Sequence, residues 1–250
     1  MAHPEQTGFI RLMRDFVFPS NGSVLEIGSY QVNENGSLRA IFSGCRYTGV
    51  DLIEGPGVDI VASGHDLNLT SDSFDVTLSA ECFEHNPLWR ETFANMYRMT
   101  KPGGILIITC ATTGRIEHGT ARSVNPHYSP GTTAVGWDYY MNLTQKDFER
   151  AFNISGMFSA YHFYTVESSH DLYFFGVKGG AIGPVFDADA IRRGVDKLAN
   201  LRTSGFTRTV VRAPLGVLSR VLPERAFQSI AVPYTKALGR IADAVGMPRS

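Results

Sequence analysis

Cysteine is scarce in this chain. Only Cys45, Cys82 and Cys110 occur among 250 residues. They are far apart and odd in number, so neither a disulfide framework nor a metal-spaced cysteine pair organises the fold. They read as reduced, mostly buried thiols of a cytoplasmic protein. The N-terminus, Met-Ala-His-Pro-Glu-Gln, has no basic stretch leading into an apolar core, so no secretory signal is expected. No apolar run approaches the roughly 20 residues of a membrane-spanning helix. An excess of charge of one sign is also lacking, since the net charge is −1. With no nucleic-acid-binding module in the sequence, nucleic acid is not an expected partner. There is no internal repeat. No trio of acids and histidines has metal-ligand spacing, so no metal ligand is assigned; a divalent site assembled from loops stays open.

What is present suits one large α/β domain with an appendage. The chain is 43% hydrophobic and 19% charged, the balance of a globular protein. Its charge is unevenly spread. Residues 185–250 hold eleven Lys and Arg against five Asp and Glu, while the rest holds twelve against nineteen. The expected division is a main domain over residues 1–180 and a basic amphipathic extension over 181–250, with the boundary in Gly179-Gly180-Ala181-Ile182-Gly183-Pro184. In the extension, Arg208, Arg212, Arg220, Arg225, Lys236 and Arg240 lie among apolar residues. Pro214, Pro223 and Pro233 divide it, which argues against one continuous helix. Such a segment suits peripheral contact with an anionic membrane, cover for the main domain, or pairing of two subunits.

The chain is organised around Val24-Leu25-Glu26-Ile27-Gly28. This apolar run ends in a glycine and breaks into a polar loop through Gly36. A second apolar stretch ends at Asp51, 23 positions after Gly28. Strand, glycine turn, short helix and a second strand ending in an acid make a nucleotide-binding βαβ layout. The acid can accept from both hydroxyls of a ribose. Beyond it, strands are expected at residues 58–62, 74–80 and 105–110. A helix is expected from Asn86, with Asn86 as cap and Pro87 in its first position, to about Thr100. Lys101-Pro102-Gly103-Gly104 stops it. A long irregular stretch covers 111–137. Thr144 and Asp147 form a capping box for a helix to 152. Strands at 157–166 and 172–177 form an antiparallel hairpin.

These residues together resemble the class I S-adenosylmethionine-dependent methyltransferases over roughly residues 20–178. Val24 to Gly28 is similar to the family's first motif. Val50-Asp51 is similar to the acid ending its second strand. Ser73-Phe74-Asp75-Val76-Thr77-Leu78-Ser79 is similar to its fourth-strand motif, and Glu84-His85 follows. Met99-Thr100-Lys101-Pro102-Gly103-Gly104 is similar to its Pro-Gly-Gly signature. The resemblance implies a Rossmann-like, doubly wound, mostly parallel seven-stranded sheet with a terminal antiparallel hairpin, here with a helical C-terminal extension. The first motif keeps only Gly28 of the usual three glycines. A dinucleotide pyrophosphate needs several close backbone approaches; S-adenosylmethionine has no phosphate and tolerates their loss.

The resemblance also implies roles. Asp51 would hold the ribose, with Leu52 packed on adenine or ribose. Glu26, Gly28 and Ser29 would face the methionine end. Asp66 would accept from the adenine amino group and the Leu67 amide would reach a ring nitrogen, with Asp72 as competitor for the acid. Glu81 ends strand four beside the sulfonium. A base for a hydroxyl acceptor would be His85 or His118, with His127 third. Trp137 to Thr144, rich in aromatics with Asp138 and Asn142, suits a hydroxylated acceptor or equally a structural role at the start of the next helix. The expected activity is O-methylation of a small polar or glycosyl acceptor, such as a sugar or glycolipid. The alternatives are N- or C-methylation, or a non-catalytic scaffold of the same fold.

Overall fold

The computed structural model describes residues 4–17, 21–32, 37–123, 125–180, 187–199 and 206–244. Residues 33–36 of the first loop, residues 181–184 of the expected boundary, and the side chains of Arg208 and Arg212 lie outside what is described.

Helix α1 (Pro4–Val17) leads into strand β1 (Ser23–Ile27), whose five residues are all buried. A 3-10 turn at Arg39–Phe42, followed by Gly44 at φ +88°, connects to β2 (Arg46–Asp51). Strand β3 (Ile60–Val61) is only two residues long, shorter than the expected 58–62. Just before it, the Asp59 carboxylate takes the Gly49 amide at 2.7 Å and the Asp59 amide donates to the Gly49 carbonyl at 2.8 Å, which ties the chain to β2. Strand β4 (Phe74–Ala80) and helix α2 (Trp89–Met99) follow.

The expected helix start at Asn86 is corrected. Asn86 Oδ1 accepts from the Leu88 amide at 2.8 Å and its amide donates to Thr92 Oγ1 at 2.8 Å, so it braces a turn ahead of a helix that begins at Trp89. Lys101 to Gly104 is not a turn between elements either. Strand β5 (Thr100–Ala111) starts at Thr100, and its pairing with β4 jumps from Phe74↔Thr100 to Val76↔Ile105. The four residues form a bulge, with Gly103 at φ +76°.

Helices α3 (Pro130–Ala134), α4 (Gln145–Ala151) and α5 (Ile154–Met157) precede the hairpin β6 (Phe158–Val166) and β7 (Asp171–Lys178). The Thr144–Asp147 capping box opens α4 as the sequence predicts. Helices α6 (Ala188–Ala199), α7 (Phe206–Val221) and α8 (Glu224–Ala244) complete the chain. Of the three prolines expected to divide the extension, Pro223 falls between helices, whereas Pro214 and Pro233 lie within α7 and α8.

The sheet order is β3-β2-β1-β4-β5-β7-β6. The first five strands are parallel, and β7 pairs antiparallel with both β5 and β6. Alternate residues feed opposite faces, so both faces need cover. Leu25, Ile27, Leu106 and Ile108 pack under α2 and α4 with Trp89, Phe93 and Phe148. Val24, Val76, Leu78, Ile105 and Ile107 pack on the other face with Phe9, Ile10 and Met13 of α1 and with Ile191 and Val195 of α6. Each such large side chain, fully buried, contributes about 1.5–3 kcal/mol. Strand order reverses between β1 and β4, and in open α/β sheets the crevice at such a point, outside the strand carboxyl ends, is where ligands bind.

Candidate active site

A cleft opens at those carboxyl ends. It is lined by Glu26, Gly28 and Ser29 from the end of β1, by Asp51 and Leu52 from β2, and by Ala80, Glu81 and Cys82 from β4. The sheet topology alone places these separate segments side by side.

Gly28 is needed as glycine. Its φ is +86°, and a Cβ there would stand 2.7 Å from Cys82 Cβ. The amides of Gly28 and Ser29 both donate to the Val50 carbonyl, at 2.9 and 3.1 Å, which anchors the loop to β2. Asp51 accepts from the Tyr30 amide through Oδ2 at 2.9 Å and from the Leu52 amide through Oδ1 at 2.7 Å. Burial raises its pKa, and the two amide bonds oppose that. Gly131 of α3 comes so close that a Cβ on it would lie 2.7 Å from Asp51 Oδ1. Residues 128–132 therefore form a wall of the cleft, within the long irregular stretch after β5.

Glu26 is buried and accepts from the Tyr47 hydroxyl at 2.6 Å. Burial pushes its pKa up to about 7; the Tyr47 bond opposes this, Asp51 adds to it, and Arg39 opposes it. Glu81 takes a left-handed backbone at φ +54°, a strained conformation for a glutamate of the kind that clusters at functional sites. It is buried, and its nearest charged neighbour is Arg115, whose Nη2 stands 3.7 Å from Oε2. Arg115 is held by the Ser169 carbonyl at 2.7 Å and the buried Asp171 at 3.0 Å.

The two residues expected at the adenine, Asp66 and Leu67, lie outside the cleft lining. Asp66 is exposed and pairs with His65 Nε2 at 2.9 Å. Leu67 is buried in the core, and its carbonyl accepts from Asn95 at 2.8 Å. Neither lines the cleft, because a turn closed by the Asp66 amide on the Ser63 carbonyl at 3.1 Å swings them past it. Ala62, Ser63, Gly64, Asn86 and Trp137 line that end instead. Asp72 pairs with Lys178 at 2.7 Å and does not line the cleft. His127 is exposed, also off the cleft.

His85 lines the cleft and His118 packs against it, with ring centroids 4.9 Å apart. Tyr140 touches both rings, at 5.4 and 5.1 Å. Burial lowers the His85 pKa to about 3 and holds His118 well below its ordinary value, so both stay neutral with lone pairs free. Glu84 is fully buried, and its pKa is raised by burial and by Glu81. The structure also brings together a set of metal-ligating side chains that sequence spacing did not assign. One ligand atom each from Glu84, His85 and His118 lies within 4.8 Å of the others. Sequence spacing hid this, because His118 comes from the loop after β5.

That loop is fastened by the extension. Glu224 accepts from Asn142 at 2.6 Å; Gln228 accepts from the Glu117 amide at 3.0 Å and donates to the Arg115 carbonyl at 2.7 Å. Leu215, Phe227 and Ala231 pack with Ile116. Within residues 137–144, only Trp137 reaches the cleft. Asp138 pairs with Arg122 at 2.7 Å, and Asn142 also donates to the Arg115 carbonyl at 2.8 Å, so both serve the loop.

The strand order, the glycine turn and the strand-end acid make a Rossmann-like seven-stranded sheet with a terminal antiparallel hairpin. Residues 25–108 match a family model described as a methyltransferase domain. An uncharacterized methyltransferase of Mycobacterium ulcerans (strain Agy99) is 42% identical over 55 residues, 22% of either chain. One of Mycobacterium bovis (strain BCG / Pasteur 1173P2) is 41% identical over 54 residues, 22% of this chain and 21% of that protein. The match thus spans about a fifth of the length of these curated relatives. Among solved structures, the Burkholderia thailandensis 1,6-didemethyltoxoflavin-N1-methyltransferase with 1,6-didemethyltoxoflavin and S-adenosylhomocysteine has a TM-score of 0.47 and 18% identity, over 70% of this chain and 78% of that one. The Haemonchus contortus phosphoethanolamine N-methyltransferase 2 in complex with S-adenosylmethionine has a TM-score of 0.48 and 16% identity, over 69% and 52%. Among the described residues, no helix is long and apolar enough to cross a membrane.

Proposed function

We propose that this chain is an S-adenosylmethionine-dependent methyltransferase acting on a hydroxyl of a small polar or glycosyl acceptor. The observation that carries the reading is the convergence of Glu26, Gly28, Asp51 and His85 on one cleft at the sheet's switch point. S-adenosylmethionine, when bound, supplies a sulfonium-activated methyl group. The residues present fit it. Asp51 offers a fixed carboxylate for two ribose hydroxyls. Gly28 leaves backbone approach open where any Cβ would block it, and Glu26 offers a carboxylate to an ammonium. Ser63, Gly64 and Trp137 would border the adenine. His85 and His118 sit beyond Glu81 and Cys82, at the wall where an acceptor hydroxyl would lose its proton. Holding the acceptor in line would supply most of the rate.

Helices α7 and α8 act in this reading as a brace for the loop that carries His118. Their exposed Val217, Val221 and Ile230 suit a second partner, either an anionic membrane surface or another copy of the chain. Three free thiols suit a reducing, cytoplasmic setting. Calorimetry with S-adenosylmethionine and S-adenosylhomocysteine tests the reading. Binding of both, lost in Asp51→Ala, is expected; binding of neither overturns it. Release of S-adenosylhomocysteine across hydroxylated and matching deoxy or amino acceptors then tests oxygen against nitrogen.

A further inference from the structure

We propose that Glu84, His85 and His118 bind a divalent first-row transition cation at the inner wall of the cleft. The three offer one carboxylate oxygen and two ring nitrogens, all within 4.8 Å of one another. Around a cation with bonds of about 2.0–2.2 Å, ligand atoms stand roughly 3–4 Å apart, so the set closes with a small inward movement.

The polar atoms here lack other employment. Glu84 is fully buried, and its carboxyl has no hydrogen-bond partner among the described residues beyond a contact with its own backbone amide; His85 Nδ1 and the Tyr140 hydroxyl have none. A buried carboxyl with no donor from any other residue calls for an explanation, and an ion is one. His118 supplies the second observation. Its Nδ1 stands 3.1 Å from the Ile116 carbonyl. A carbonyl only accepts, so Nδ1 carries the proton and Nε2 presents its lone pair. That lone pair faces Glu84 Oε1 across 3.9 Å. Two electron-rich atoms oppose each other at a distance too long for a shared proton and close to the span of two metal–ligand bonds. A ligating histidine that donates its other N–H to a backbone carbonyl is the usual outer-shell arrangement.

The ligand chemistry selects the cation. Two imidazoles with a carboxylate favour manganese, iron, cobalt or zinc over magnesium and calcium, which prefer all-oxygen shells. Three protein ligands leave positions open toward the cleft, where His85 stands. A hydroxyl oxygen of the acceptor occupying one of them becomes more acidic and releases its proton to solvent. This role rests on the proposed oxygen methylation; the cation site itself does not.

The test is calorimetry on the full-length chain after chelator treatment, with Co2+, Mn2+ and Mg2+ as probes and the visible absorption of Co2+ as a second readout. One site per chain is expected, at least tenfold tighter for Co2+ and Mn2+ than for Mg2+. Glu84→Gln and His118→Ala should each weaken it tenfold or more and alter the Co2+ band, while S-adenosylhomocysteine still binds. Absence of saturable cation binding by protein that binds S-adenosylhomocysteine overturns the cation site and leaves the methyltransferase reading standing. Binding unchanged in both variants, or a preference for Mg2+, also overturns it. Cation binding with these dependences in protein that binds no S-adenosylhomocysteine upholds the site and sinks the methyltransferase reading.

Discussion

The Tyr47 hydroxyl donates to Glu26 Oε2 at 2.6 Å, tying β2 to β1 through the acid that lines the cleft. This bond favours the ionised carboxylate, yet burial dominates and raises the Glu26 pKa to about 7 from an ordinary 4.5. Tyr47, Asp51 and Arg39 are the titratable and charged groups that act on it.

A stability slope follows. Between pH 4.5 and about 7 the folded chain keeps the Glu26 proton while the unfolded chain releases it. The folded state then binds more protons, so this residue's contribution falls as pH rises through that window and is fully present below it. Denaturant unfolding of wild type and Glu26→Gln at pH 4.5 and 7.5 isolates the effect. Wild type should lose on the order of 3 kcal/mol relative to the variant across the window. Parallel pH profiles would refute it.

Asp51→Asn should separate binding from folding. The carboxylate accepts two amides, from Tyr30 and Leu52. An amide side chain can accept through only one of its two atoms, leaving the other facing an N–H. A stability loss of about 1–2 kcal/mol is expected from the lost bond. The Kd for S-adenosylhomocysteine should rise at least tenfold, read by calorimetry beside a thermal melt.

Gly28→Ala should be costly and not rescued by trimming Cys82. The left-handed backbone alone costs about 1–2 kcal/mol for a residue with Cβ. The added atom also strikes Cys82 Cβ at 2.7 Å, which alanine at 82 retains. Gly28→Ala and Gly28→Ala/Cys82→Ala should therefore be destabilised alike and lose S-adenosylhomocysteine binding, whereas Cys82→Ala alone keeps it.

Gln228→Ala should loosen one side of the site only. It removes the bonds to the Glu117 amide and the Arg115 carbonyl, on the loop that carries His118. About 1–2 kcal/mol of stability should go. Co2+ affinity should fall while S-adenosylhomocysteine affinity, set by β1, β2 and β4, stays within twofold. Equal losses of both would show that the extension supports the whole domain.

The Val24 to Gly28 run, Asp51, the β4 motif and the Thr144 capping box were legible because each depends on neighbours in sequence: strand periodicity, a forced glycine, a strand-end acid, a reciprocal cap. Asp66 and Leu67 stand outside the cleft lining for a related reason. A motif position fixes a residue's place along the chain but not the direction a turn takes, and the turn at Ser63 carries both past the cleft. The Asn86 cap was misplaced because its side chain found Leu88 and Thr92 instead of a helix end.

The sequence by itself therefore determined the parallel sheet, its switch point and the glycine and acid that edge the cleft, since periodic burial and local backbone demands are written in adjacent residues. Only the tertiary structure decided which loops wall that cleft. Gly131 against Asp51 and His118 against Glu84 join positions 80 and 34 residues apart. Such contacts arise when whole elements pack, and no local spacing encodes them.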